Sequence, residues 1–193
     1  MKKYFLLFLL IVLSFPMTTF SQGIQVKENQ VKEPATKLEK FLSKRGRIIV
    51  KDYYKIGRIP GTYDTRMELT AIVIYEPGSE LKNKGIQIQV EKQERYGRTD
   101  TSFLDFEEVE SLSKAVTYMT KLLSNWKGVN KEYTEVVFST KGDFQIGFYQ
   151  QGTERQIFAS SGYVGKVSCF FDSDNLSFVK KYLEEGLKIL KEK

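Results

Sequence analysis

The sequence predicts an α+β fold in which two tandem units, each of four antiparallel strands and a C-terminal helix, pack as one body. Three observations support this prediction. Residues 133–171 form four short runs rich in aromatic and β-branched side chains, with Gly142, Gly152 and Gly162 between them at ten-residue intervals. After these runs the apolar spacing changes from two residues to that of a helix, at an acidic boundary. The same change occurs earlier, after Asp105.

The N-terminal residues 1–22 have the pattern of a secretory signal peptide. Lys2 and Lys3 precede an apolar run of twelve residues, which Pro16 ends. A run of that length is too short to cross a bilayer, so we predict cleavage near Ser21 and export of the remainder. The mature chain is then expected to have no transmembrane segment and to reside in the periplasm or the medium.

Residues 23–43 are predicted to be a polar tether that carries a short helix from Pro34 onward. The first part of this tether lacks hydrophobic periodicity. Proline suits the first turn of a helix, and Leu38, Phe41 and Leu42 would share one side of it.

The first unit is predicted over residues 44–127, with strands at residues 44–59, 67–75, 85–96 and 99–104. The first strand is expected to bend near Asp52. The second is a dense apolar run, which indicates a central strand buried on both faces. The third alternates strictly, with Ile86, Ile88 and Val90 on one face. The helix covers residues 106–126, and its apolar stripe comprises Val109, Leu112, Val116, Met119, Leu123 and Trp126.

The second unit is predicted over residues 132–193, with strands at residues 133–140, 143–150, 154–160 and 163–171. Phe144, Ile146 and Phe148 alternate along its second strand. The three glycines are expected to supply the positive φ angles of the hairpin turns. A helix follows, whose apolar stripe comprises Leu176, Val179, Leu183, Leu187 and Leu190.

Acidic residues stand where each long helix is predicted to begin. Asp105 and Glu108 have the spacing of a capping box, and Asp172, Ser173 and Asp174 are candidate N-caps of the second helix. We therefore expect the carboxylates of these two clusters to complement helix dipoles, rather than to bind a metal or act in catalysis.

The composition removes several classes of functional site. The chain has no histidine and a single cysteine, Cys169, so histidine-based triads and structural zinc sites are excluded in practice. Phosphate-binding loops, dinucleotide fingerprints and nucleophile elbows are absent from the sequence. The apolar neighbours of Cys169 predict a buried thiol rather than a reactive one. We expect no cofactor and no metal, and these absences favour a protein that is not an enzyme.

Two basic and aromatic stretches form the candidate ligand surface. One comprises Lys51, Tyr53, Tyr54, Lys55 and Arg58, and the other comprises Arg95, Tyr96 and Arg98. Cations beside stacking aromatic rings on an open sheet can bind single-stranded nucleic acid. Tyrosine and lysine are also ordinary residues of exposed strands. Acidic residues interrupt these stretches and the net charge is only +6, so nucleic acid is not the favoured partner.

The order of predicted elements over residues 44–193 resembles the Whirly/PC4-like fold. The layout is also similar to that of small exported bacterial proteins of unknown function. Members of the Whirly family bind single-stranded DNA and assemble as tetramers. A Lys-Gly-Asn-type motif marks an early strand in that family; here the comparable stretch reads Lys51-Asp52-Tyr53-Tyr54-Lys55, without the motif. The resemblance therefore implies the fold of two ββββα units and not the function.

We expect an exported, non-catalytic binding module of the cell envelope, whose partner is an envelope protein or a small apolar ligand. The first alternative is a protein that binds single-stranded nucleic acid outside the cytoplasm, and the second is an unrecognised hydrolase. The alternative fold is a helix-capped β-sandwich or a pleckstrin-like (PH-like) barrel.

Overall fold

The computed structural model describes residues 33–93 and 97–193. The predicted signal peptide and the first part of the tether lie outside these residues. The described elements, in chain order, are α1 (Lys37–Leu42), β1 (Val50–Pro60), β2 (Thr65–Tyr75), β3 (Asn83–Lys92), β4 (Arg98–Asp105), α2 (Phe106–Asn125), β5 (Lys131–Ser139), β6 (Gln145–Gly152), β7 (Glu154–Ser161), β8 (Val167–Phe171) and α3 (Asn175–Glu192). None of these helices combines the length and apolar character needed to cross a membrane.

Each group of four strands forms one antiparallel sheet with the strands in chain order. A long helix follows each sheet, so the predicted α+β fold of two tandem ββββα units is confirmed. Neither sheet closes on itself in the described part of the chain, and the barrel alternative is therefore wrong.

The two sheets face each other across one hydrophobic core. Strand β3 lies against β7 and β8 of the second sheet. The first sheet contributes residues such as Ile86 and Ile88, and the second contributes Phe144, Ile146 and Phe148, all of them buried. Burial of one large apolar side chain contributes about 1.5–3 kcal/mol. This shared core therefore holds the two units together as one body.

The two long helices pack against each other and bridge the sheets. Helix α2 contacts β3, β4 and β5, and Trp126 at its end packs edge-on against Phe148. Helix α3 contacts β1, β2 and β3, so the helix of the second unit covers the sheet of the first. A Cβ at Gly186 would lie 2.6 Å from Ile86 Cδ1, so the absence of a side chain there allows this close approach.

The short helix α1 covers part of the outer face of the first sheet. Leu38 is buried there against Ile72 and Ile74 of β2, so this part of β2 is buried on both faces, as predicted. A helix of six residues is not stable alone. The carboxylate of Asp105 holds it in place, because it accepts hydrogen bonds from the backbone N–H of Lys37 at 2.8 Å and of Leu38 at 3.1 Å.

The irregularity in β1 lies further along the strand than predicted. The register with β2 shifts between Lys55 and Gly57, and not near Asp52. A Cβ at Gly57 would lie 2.4 Å from Cζ of Tyr182 in α3. Glycine at this point leaves room for the ring of Tyr182, which occupies the space of a side chain.

One of the three predicted turn glycines has a different role. Gly152 and Gly162 have positive φ angles of 61° and 109°, as predicted. Between β5 and β6, however, Asp143 takes the left-handed conformation, with φ 61°. Gly142 instead lies against the backbone of Phe103 in β4, where a Cβ would be 2.0 Å from the carbonyl oxygen. Glycine is required there for a contact between the two units.

Candidate anion-binding cleft

Four of the predicted ligand residues share the outer face of the first sheet. Lys51, Tyr53 and Lys55 alternate along β1 and are exposed. Arg58 follows on the same face beyond the irregularity, and its guanidinium forms an ion pair of 2.8 Å with Glu68. The structure therefore brings these four residues together in one row along β1.

The other predicted residues do not join this row. Tyr54 points to the opposite side of β1 and packs against the main core, with Lys193 Nζ 5.2 Å from the centre of its ring. Arg95 and Tyr96 lie outside the described residues. Arg98 begins β4 at the far end of the sheet from Lys51, where it lines a cleft between the two sheets.

This cleft has a volume of about 310 Å³. One side is a row across the end of the first sheet, in which Lys92 of β3 pairs with Thr65 of β2 and with Arg98 of β4. The other side is the start of β8 and the residue before it. The complete lining in the described residues comprises Tyr63, Thr65, Lys92, Arg98, Lys166, Val167, Ser168 and Phe170.

The lining carries three cations and no carboxylate among the described residues. Lys92 and Arg98 are directly opposite each other in the β3–β4 pair. Arg98 donates a hydrogen bond to the carbonyl oxygen of Gly165. Lys166 Nζ donates to Gln145 Oε1 at 2.9 Å. Both of these acceptors are neutral groups.

A strained aromatic residue stands at the edge of the cleft. Tyr63 and Asp64 have φ angles of 55° and 53°, which form a type I′ turn between β1 and β2. Tyrosine is a bulky residue for this conformation, and its side chain is 82% exposed. The turn is held by the Thr65 hydroxyl, which donates to the Thr62 carbonyl at 2.6 Å, and by the Thr62 N–H, which donates to the Phe170 carbonyl at 2.7 Å.

Cys169 lies beneath the cleft and is completely buried, as the sequence predicts. Burial raises the pKa of its thiol, and a hydrogen bond with the Thr65 side chain acts in the opposite direction. The thiol also lies against Gly61, where a Cβ would be 2.3 Å from Sγ. This close packing, together with the raised pKa, makes Cys169 a core residue.

The carboxylates at the start of α2 act in capping and ion pairing. Glu108 accepts a hydrogen bond from the N–H of Asp105 at 3.3 Å, which is one half of the predicted capping box. Glu107 forms an ion pair of 2.6 Å with Lys37. The hydrogen bond in this pair is the main cause that lowers the pKa of Glu107 and raises that of Lys37.

The start of α3 differs from the prediction. Its N-cap residue, Asp174, has helical backbone angles, and its side chain makes no capping hydrogen bond. A side chain caps a helix when the backbone before the first turn is extended, which is not the case here. Within the described residues, the acidic and thiol side chains form no group of three or more that could hold a metal ion.

Of the residues that line the cleft, Arg98 is among the ligand residues predicted from the sequence, whereas Lys92, Lys166 and Tyr63 are not. Lys92 and Arg98 are equidistant from residue 95, so the register of the β3–β4 hairpin would have placed them side by side. Lys166 comes from the other sheet, and no spacing in the sequence relates it to this hairpin.

Comparison of the chain with protein-family models, with curated proteins and with solved structures gives no match. The resemblance to the Whirly/PC4-like fold therefore stays a prediction. The geometry of the cleft is the basis for a proposal about function.

Proposed function

We propose that this chain is an exported, non-catalytic binding protein of the cell envelope and that it binds an anionic ligand in the cleft between its sheets. The observation that carries the proposal is the convergence of Lys92, Arg98 and Lys166 from three different strand ends on a cleft of about 310 Å³. The basic and apolar pattern of residues 1–22 supports export.

The lining favours an anion over the small apolar ligand expected from the sequence. Cations in a concave site with low-dielectric walls concentrate their field on whatever enters. The hydroxyl group of Ser168 adds a hydrogen-bonding group beside the three cations. Such an arrangement recognises charge and shape, which is the property of a binding module.

Titration calorimetry of the purified protein with inorganic phosphate and with citrate tests this proposal. We expect binding that weakens as salt is added, because salt screens the cations. Arg98→Gln removes a charge-assisted contact and is expected to lower the affinity about 10-fold or more. Lys121→Gln removes an exposed charge from α2 and serves as the control. Equal affinities of the two variants would contradict the proposal.

The alternative function is binding of single-stranded nucleic acid outside the cytoplasm. One observation favours it: Lys51, Tyr53 and Lys55 share the exposed face of β1, and Tyr53 is 54% exposed. If this alternative holds, a short oligothymidine binds with a steep salt dependence, and the Lys51→Gln/Lys55→Gln double variant weakens binding while Arg98→Gln does not.

A further inference from the structure

We propose that the ligand of the cleft is a sugar phosphate, that is, a phosphomonoester attached to a single hydroxylated ring. This inference rests on the proposed anion-binding function and names the chemical class of the anion. The cleft is lined by cationic groups and by aromatic residues, so a ligand with a charged group and a ring can contact both.

The cationic part of the lining fits a phosphate group. Lys92 and Arg98 lie side by side across the β3–β4 pair, and Lys166 approaches from the second sheet. A bound dianion would be attracted by all three cations. The planar guanidinium of Arg98 can offer parallel N–H donors to two phosphate oxygens, and a lysine adds a point charge.

The remaining part of the lining fits a sugar ring. Tyr63 keeps its left-handed backbone because the hydrogen bonds around the turn hold it, and strained residues of this kind occur at ligand sites. Its exposed ring offers a flat surface, and Val167 and Phe170 add apolar contacts. The hydroxyl group of Ser168 can exchange hydrogen bonds with the hydroxyl groups of a sugar.

The size of the cleft limits the ligand to a small molecule. Sites for small molecules have volumes of about 300–1,000 Å³, and this cleft, at about 310 Å³, lies at the lower end. One ring with one phosphate is therefore the ligand that we infer, rather than a dinucleotide or a lipid with its acyl chains.

Titration calorimetry of the purified protein with four probes tests the inference: glucose 6-phosphate, inorganic phosphate, glucose and adenosine monophosphate. We expect glucose 6-phosphate to bind at least about 5-fold more tightly than inorganic phosphate, from the added contact with the aromatic ring. Glucose alone is expected not to bind measurably, and adenosine monophosphate is expected to bind less tightly than the sugar phosphate.

Variants at Tyr63 separate the ring contact from the phosphate contact. Tyr63→Asn removes the ring but tolerates the left-handed backbone, so the turn should persist. It is expected to reduce the affinity for glucose 6-phosphate about 5-fold and to leave that for inorganic phosphate unchanged. Tyr63→Phe keeps the ring and should bind as the wild type does. Arg98→Gln should weaken both ligands.

These experiments can contradict the sugar phosphate without contradicting anion binding. If glucose 6-phosphate and inorganic phosphate bind equally and Tyr63→Asn changes neither, the sugar phosphate is overturned and anion binding stands. If adenosine monophosphate binds more tightly than glucose 6-phosphate, the sugar ring is the wrong choice of ring. If none of the anions binds, both the inference and the proposed function are wrong.

Discussion

Replacement of Asp105 by alanine tests how the short helix α1 is held on the first sheet. The Asp105 side chain is buried, and its carboxylate accepts the two backbone hydrogen bonds that begin α1. The substitution leaves those two N–H groups without their charged acceptor. It also loosens the contact that buries Leu38 against Ile72 and Ile74.

The two hydrogen-bond lengths set the size of the expected effect. Both are of ordinary length, and a hydrogen bond to a charged group contributes about 1.5–3 kcal/mol. Because the two bonds share one carboxylate, we expect a loss of about 2–4 kcal/mol in unfolding free energy. Asp105→Asn keeps a neutral acceptor, so its cost should be about half of that.

Urea denaturation measures the loss, and amide hydrogen exchange locates it. The amides of Lys37 and Leu38 should exchange much faster in Asp105→Ala than in the wild type. Asp172→Ala removes an exposed carboxylate beside α3 and should change the stability by less than about 0.5 kcal/mol. If Asp105→Ala costs no more than this control, or if both amides keep their protection, the assigned role of the carboxylate is wrong.

Three further predictions concern single contacts. Ser102 Oγ lies 2.7 Å from Ser161 Oγ in the buried interface of the sheets. In urea denaturation, Ser102→Ala should lower the unfolding free energy by about 1–3 kcal/mol. The variant with alanine at both positions should lose less than the sum of the two single losses. Cys169 should react with a thiol reagent only after unfolding, and fast reaction of the native protein would contradict its burial. Because the pKa of Glu107 is lowered, the ion pair of Glu107 with Lys37 stabilises the fold above the ordinary carboxyl pKa, and this stabilisation is lost as the pH falls through the lowered value. In the Lys37→Gln variant, the pKa of Glu107 measured by NMR should rise.

Hydrophobic spacing predicted most of the fold because nearly every element buries one face in the same core. Ile86, Ile88 and Val90 alternate in the sequence and are all buried on the inner side of β3. The stripe from Val109 to Leu123 is likewise the buried side of α2. In both cases the local pattern is a direct consequence of which side faces the other layer.

Tertiary contacts decided the points at which local patterns failed. Gly142 has the appearance of a turn glycine, but its small size serves the contact with Phe103 from the other unit. Nothing local indicates that α3 crosses to the first sheet, where Tyr182 fills the space over Gly57. These contacts join residues far apart in the chain, and spacing within one element carries no information about them.

The cations of the candidate cleft could not be predicted from runs of charge along the sequence. Lys51 to Arg58 is contiguous in the sequence, yet alternation along β1 sends Tyr54 to the core, and Glu68 pairs with Arg58. The cations of the cleft come instead from strand ends separated along the chain, and sheet pairing makes Lys92 and Arg98 neighbours. In this cleft, register across strands brings together cations that are separated in the sequence. The proposed anion would therefore lie at the end of the first sheet, in the cleft between the two sheets.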